Sequence, residues 1–118
     1  MTGGPLVSRA LLAVAVVSIA ILSLLPPDRL PGEVAVSDKL LHALAYGVLA
    51  VLAVSSGLGP AAAFIAVVIF GLLLEVAQLL SGYRAFEWRD LLADALGATL
   101  GIALVVVLRR VRARSGTV

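Results

Sequence analysis

The stretch Pro60-Ala61-Ala62-Ala63-Phe64-Ile65-Ala66-Val67-Val68-Ile69-Phe70-Gly71-Leu72-Leu73-Leu74-Glu75-Val76-Ala77-Gln78-Leu79-Leu80 decides how the whole chain is read. It is unbroken by charge until Glu75 and long enough as a helix, at about 1.5 Å per residue, to cross roughly 30 Å of hydrocarbon. Pro60 suits the first helical position, where a missing N–H costs nothing. Only helices and closed barrels satisfy their own backbone in a bilayer, so this run is predicted to be a spanning helix.

Working outward, the same pattern repeats. Ser55 to Pro60 is an uncharged turn, and an apolar block covers about 40–55 before it. Ser37 suits a helix N-cap there. Residues from Pro26 to Ser37 are rich in Pro, Gly and charge and read as a loop. An earlier block covers about 6–25, and no clean small-residue cleavage site near its end marks it as a signal peptide. Beyond the polar segment Ser81 to Arg89, Asp90 is placed to cap a last block over about 91–108. The expected fold is therefore all-α, an integral membrane bundle of four transmembrane helices at about 6–25, 40–55, 60–80 and 91–108, forming one domain over residues 1–118.

Composition points the same way. Of 118 residues, 62% are hydrophobic and only 14% charged, against roughly half and a quarter in soluble domains. Mean hydropathy is +1.15. There is no Cys, which removes disulfides, thiolate metal sites and a cysteine nucleophile. A sequence pI near 9.7 does not signal nucleic acid, because Arg109, Arg110, Arg112 and Arg114 follow directly on an apolar span. Basic clusters so placed contact anionic lipid head groups, and membrane lipids are the expected partners. Four spans put both termini on one side, and this cluster, with Arg9, assigns that side to the cytoplasm.

On that topology the polar residues gather at the outer face. Helix two opens with Asp38, Lys39 and His42, and Tyr46 lies a turn further in. Residues 38, 42 and 46 share one helical stripe. Helix three returns to the same face with Glu75 and Gln78, helix four leaves it with Asp90 and Asp94, and the loop between adds Arg84, Glu87, Trp88 and Arg89. A carboxylate deep in a spanning helix costs about 2.5–3.5 kcal/mol against lipid, so Glu75 is expected to face the bundle, with Arg84, Lys39 or His42 as partner. Single residues also have plainer readings. Asp38 and Asp90 suit the positive end of a helix dipole, Lys39, Arg84 and Arg89 can snorkel, and Tyr46 and Trp88 fit an interfacial aromatic belt. Gly97 and Gly101 form a G-x-x-x-G that lets helices approach closely, within the chain or between copies.

The run Asp38-Lys39-Leu40-Leu41-His42-Ala43-Leu44-Ala45-Tyr46, the pair Glu75 and Gln78, and Arg84-Ala85-Phe86-Glu87-Trp88-Arg89-Asp90-Leu91-Leu92-Ala93-Asp94-Ala95-Leu96-Gly97 followed by Gly101 resemble the VanZ-like family. The resemblance covers Asp38 to Gly101 and departs from the family at Asp94, where Asn is common. It implies a small bacterial membrane protein, and the family's namesake confers low-level resistance to the glycopeptide teicoplanin.

Three functions remain open on the sequence. The leading one is a cell-envelope protein whose outward cleft, formed by Asp38, Lys39, His42, Tyr46, Glu75, Gln78, Arg84, Asp90 and Asp94, binds a lipid-linked or cell-wall component. It needs no cofactor and no metal, and it alters glycopeptide susceptibility. A second is a membrane-embedded enzyme acting on a lipid-linked phosphate or glycan, with His42 as acid or base, or with His42, Glu75, Asp90 and Asp94 around a divalent metal. No H-E-x-x-H or Gly-rich phosphate loop supports it. A third is a structural partner of a larger membrane complex, docking through the Gly97 to Gly101 face and the arginine tail.

Overall fold

The computed structural model describes residues 4–25, 38–82 and 85–115. Among these are four helices, α1 (Gly4–Leu24), α2 (Asp38–Ser55), α3 (Pro60–Ser81) and α4 (Trp88–Arg114), and no strand. Each is long and apolar enough to cross a membrane. They run alternately up and down, since Arg9 near the start of α1 donates from Nε to the carbonyl of Ser56 after α2 (3.1 Å). At the other end, Gln78 late in α3 donates from Nε2 to the carbonyl of Ser23 late in α1 (2.9 Å).

Helix ends follow local chemistry. Pro60 opens α3 behind Gly59 at the cap, and Gly82 closes it in the left-handed region (φ 81°), its N–H turned back to the Leu79 carbonyl. The fourth helix is longer than the expected 91–108 at both ends. It starts at Trp88 with Glu87 as N-cap, so Asp90 lies within the first turn instead of capping it. Its arginine tail continues the helix to Arg114, because arginine is a good helix former and basic side chains favour the negative C-terminal end. At about 40 Å, α4 exceeds the hydrocarbon thickness, which leaves the arginines room beyond it. The expected cap Ser37 lies outside the described residues.

The bundle is inside-out relative to a soluble protein. Leu40, Leu44 and Val48 on α2, Ile65, Ile69 and Leu73 on α3, and Leu92, Leu96, Leu100 and Leu104 on α4 are exposed. The interior holds Tyr46, Leu49, Ala50, Val67 and Ala98, with Ala53, Val54 and Ala63 deeper toward the α2–α3 turn. Hydrocarbon is the solvent that such an exterior requires.

The tightest contact joins α2 to α4. Gly97 lies directly against the backbone of Ala43, and a Cβ on Gly101 would come within 2.6 Å of the Gly47 carbonyl oxygen. The G-x-x-x-G face is thus filled by the chain's own second helix, which brings the first turns of α2 and α4 side by side. Helix α1 contributes no buried residue and leans on α2 and α3.

Candidate functional site

The site grows from that α2–α4 contact. Lys39 sits where three carboxylates converge, and its Nζ binds Asp90 Oδ1, Glu87 Oε1 (3.0 Å) and Asp38 Oδ2 (3.5 Å). One turn deeper, His42 Nδ1 meets Asp94 Oδ1 at 2.7 Å, while Nε2 stands 3.6 Å from Asp90 Oδ2. With the carboxylate accepting, the imidazole donates through Nδ1. Another turn in, the ring of Tyr46 lies parallel to His42 (centroids 6.0 Å apart, planes at 9°) and tilts against Phe70. Burial deepens along this ladder: the Asp38 side chain is 65% exposed, that of His42 17%, and Tyr46 only 3%.

Helix α3 closes the back. Glu75 is 2% exposed and accepts the backbone N–H of Glu87 at 2.9 Å. It therefore satisfies the start of α4 instead of pairing directly with Lys39 or His42. A buried carboxylate that takes a backbone donor offsets part of its desolvation, since bonds to charged groups contribute about 1.5–3 kcal/mol. Gln78, 4% exposed, turns the other way and holds α1 through Ser23. No buried side-chain nitrogen or oxygen among the described residues lacks a hydrogen-bond partner, as a polar network inside a membrane demands.

A family model described as VanZ/LLP1 matches residues 15–109. The chain belongs to this family. No curated protein and no solved structure matches it. With its four apolar helices, this VanZ/LLP1 member is a multi-pass membrane protein.

Within this VanZ/LLP1 chain, Asp38, Lys39, His42, Asp90 and Asp94 form one connected cluster, and Tyr46 and Glu75 line its inner side. Arg84 lies outside the described residues. Tyr46 is buried among His42, Phe70 and Gly71, not set in an interfacial belt, because its ring fills the space beneath the His42–Asp94 pair. Trp88 is 59% exposed, with the Arg89 guanidinium 5.8 Å above its ring. Lys39 is already engaged by three carboxylates, so it is not a free anchor for an anion.

Two residues join the site that the sequence did not single out for it. Glu87 serves both as a ligand of Lys39 and, through its N–H, as the partner of Glu75. Gly71 leaves the room that Asp94 occupies, since a Cβ there would come within 2.6 Å of Asp94 Oδ2 and 3.1 Å of Tyr46 Cε2. Its position was a usable signal: residues 71, 75 and 78 fall on one helical stripe, which marks Gly71 as facing the polar layer.

A cavity of about 220 Å³ opens beside the cluster, between α1 and α2. Ile19, Leu22, Leu41 and Ala45 supply an apolar wall, and Ser23, Asp38, His42 and Gln78 a polar one. The arrangement suits a molecule with an oily body and a hydroxyl- or amine-bearing head.

Proposed function

We propose that this VanZ/LLP1 member lies in the bacterial cell membrane with both termini cytoplasmic and binds a lipid-linked cell-wall component in the cavity beside His42. Occupation of that cavity alters susceptibility to glycopeptides of the teicoplanin type. The observation that carries the reading is the mixed lining of the cavity, polar at the helix ends and apolar along α1 and α2. Among the described residues of the adjoining cluster, carboxylates outnumber lysine and arginine, with Asp38, Glu87, Asp90 and Asp94 against Lys39, which favours a head group rich in hydroxyls or amines over a bare anion. Arg9, Arg109, Arg110, Arg112 and Arg114 all lie at the opposite end, which supports a cytoplasmic assignment for that end.

The test is expression of the chain, and of His42→Ala and Gln78→Leu variants, in a teicoplanin-sensitive bacterium. Native mass spectrometry of the purified proteins then reads retained lipid-linked glycans. The expected result is reduced susceptibility and a retained lipid for the parent chain, with both lost in the variants. Unchanged susceptibility together with no retained lipid overturns the proposal.

A second reading, an enzyme acting on a lipid-linked phosphate or glycan, draws on the His42–Asp94 pair. Asp94 fixes one imidazole nitrogen, as a carboxylate does for a general base, and the His42 ring lines the cavity. Turnover of a lipid-linked substrate by the parent chain, absent in Asp94→Ala, distinguishes it from binding alone.

A further inference from the structure

We propose that Asp38, His42 and Asp90 form a binding site for a divalent transition-metal ion, with Asp94 orienting the histidine. One donor atom from each of the three residues lies within 4.8 Å of the others. Ligands about 2.1 Å from a common ion stand roughly 3.4 Å apart in a tetrahedron, so the set closes with a shift of at most about 1.4 Å. The exposed Asp38 side chain has the freedom to make that shift.

The individual donors are poised for it. His42 is held through Nδ1 by Asp94 at 2.7 Å, the carboxylate–histidine arrangement that steers the other ring nitrogen toward a metal. That other nitrogen, Nε2, faces Asp90 Oδ2 at 3.6 Å, beyond hydrogen-bond distance. Asp90 divides its two oxygens: Oδ1 is taken by Lys39, whereas Oδ2 is turned to the imidazole. An imidazole nitrogen and a carboxylate oxygen that face each other at 3.6 Å stand at about the separation of two ligands on one ion.

Charge and access agree. Among the described residues of the cluster, Asp38, Glu87, Asp90 and Asp94 carry four formal negative charges against one positive charge on Lys39, so a divalent ion reduces an excess instead of creating one. Asp38 and His42 both line the cavity, which leaves a coordination position open to it. One imidazole with two carboxylates suits Zn²⁺ or Mn²⁺ better than Mg²⁺, which prefers oxygen and retains its water. Glu75 is not a ligand, because its carboxylate is committed to the Glu87 N–H.

The site is independent of any lipid, and its test uses the metal alone. The full chain in detergent is freed of metal and titrated with Zn²⁺ and with Mn²⁺, binding being read by calorimetry and by the Mn²⁺ paramagnetic signal, with Mg²⁺ for comparison. The expected result is saturable binding near one ion per chain. His42→Ala abolishes it, Asp38→Asn weakens it, and Asp94→Asn weakens it by about 10–100-fold as the orienting partner changes. Helix content and a single species on gel filtration establish that each variant is folded, and Asp38→Asn alters an exposed side chain that the fold does not need. Absence of saturable binding by the parent chain, or binding that survives unchanged in both Asp38→Asn and His42→Ala, overturns the site.

Discussion

His42 and Asp94, 52 residues apart in the chain, meet through a 2.7 Å contact between Nδ1 and Oδ1 inside a bundle whose exterior is hydrocarbon-like. The contact ties α2 to α4 at the depth where a lone carboxylate would be costly, and Asp94 is 1% exposed. Truncating Asp94 to Ala leaves the imidazole donor unmet and is expected to destabilise the bundle by about 2–4 kcal/mol. Asp94→Asn keeps an acceptor oxygen and costs less than half as much. Unfolding in mixed detergent micelles, followed by circular dichroism, measures the difference.

Gly71 and Asp94 are matched in volume. A methyl at residue 71 intrudes on Asp94 Oδ2 and the Tyr46 ring, so Gly71→Ala is expected to cost about 1–3 kcal/mol through overpacking. Combined with Asp94→Ser, which withdraws the obstructing oxygen, the added methyl costs less than it does alone. A double-mutant cycle on the same unfolding assay reads this coupling, and strict additivity would refute the fit.

Where the obstacle is backbone, relief is not available. A Cβ on Gly97 runs into the Ala43 main chain, one on Gly101 approaches the Gly47 carbonyl oxygen at 2.6 Å, and one on Gly47 meets the Gly97 carbonyl oxygen at 3.1 Å. Alanine substitutions are therefore expected to destabilise in the order Gly97, Gly101, Gly47, the first by about 3 kcal/mol or more. Gly4→Ala, with nothing within 4 Å, is neutral or slightly stabilising. Thermal unfolding of the four variants in detergent tests the ranking.

Helix α1 hangs on few polar ties. Gln78→Leu removes the bond to the Ser23 carbonyl while leaving the apolar contacts of α1 in place. Faster hydrogen exchange confined to the C-terminal half of α1, with α2 and α4 unaffected, is the expected outcome. Uniformly faster exchange would mean that Gln78 supports the whole bundle.

The sequence alone determined the four spans and the layer in which polar groups collect, because both follow from helix length, period and the cost of charge in hydrocarbon. It also placed Asp38, His42 and Tyr46 on one stripe, and their graded burial follows that stripe inward. What it could not supply were the pairings across helices. Glu75 takes the Glu87 backbone, Lys39 draws together Asp38, Glu87 and Asp90, and Gly71 makes room for Asp94 only because α3 lies against α4. A spacing rule specifies which side chains share a face. Which face meets which neighbour is decided by close approach of the backbones, here Gly97 on Ala43 and Gly101 on Gly47, and only the tertiary structure contains that register.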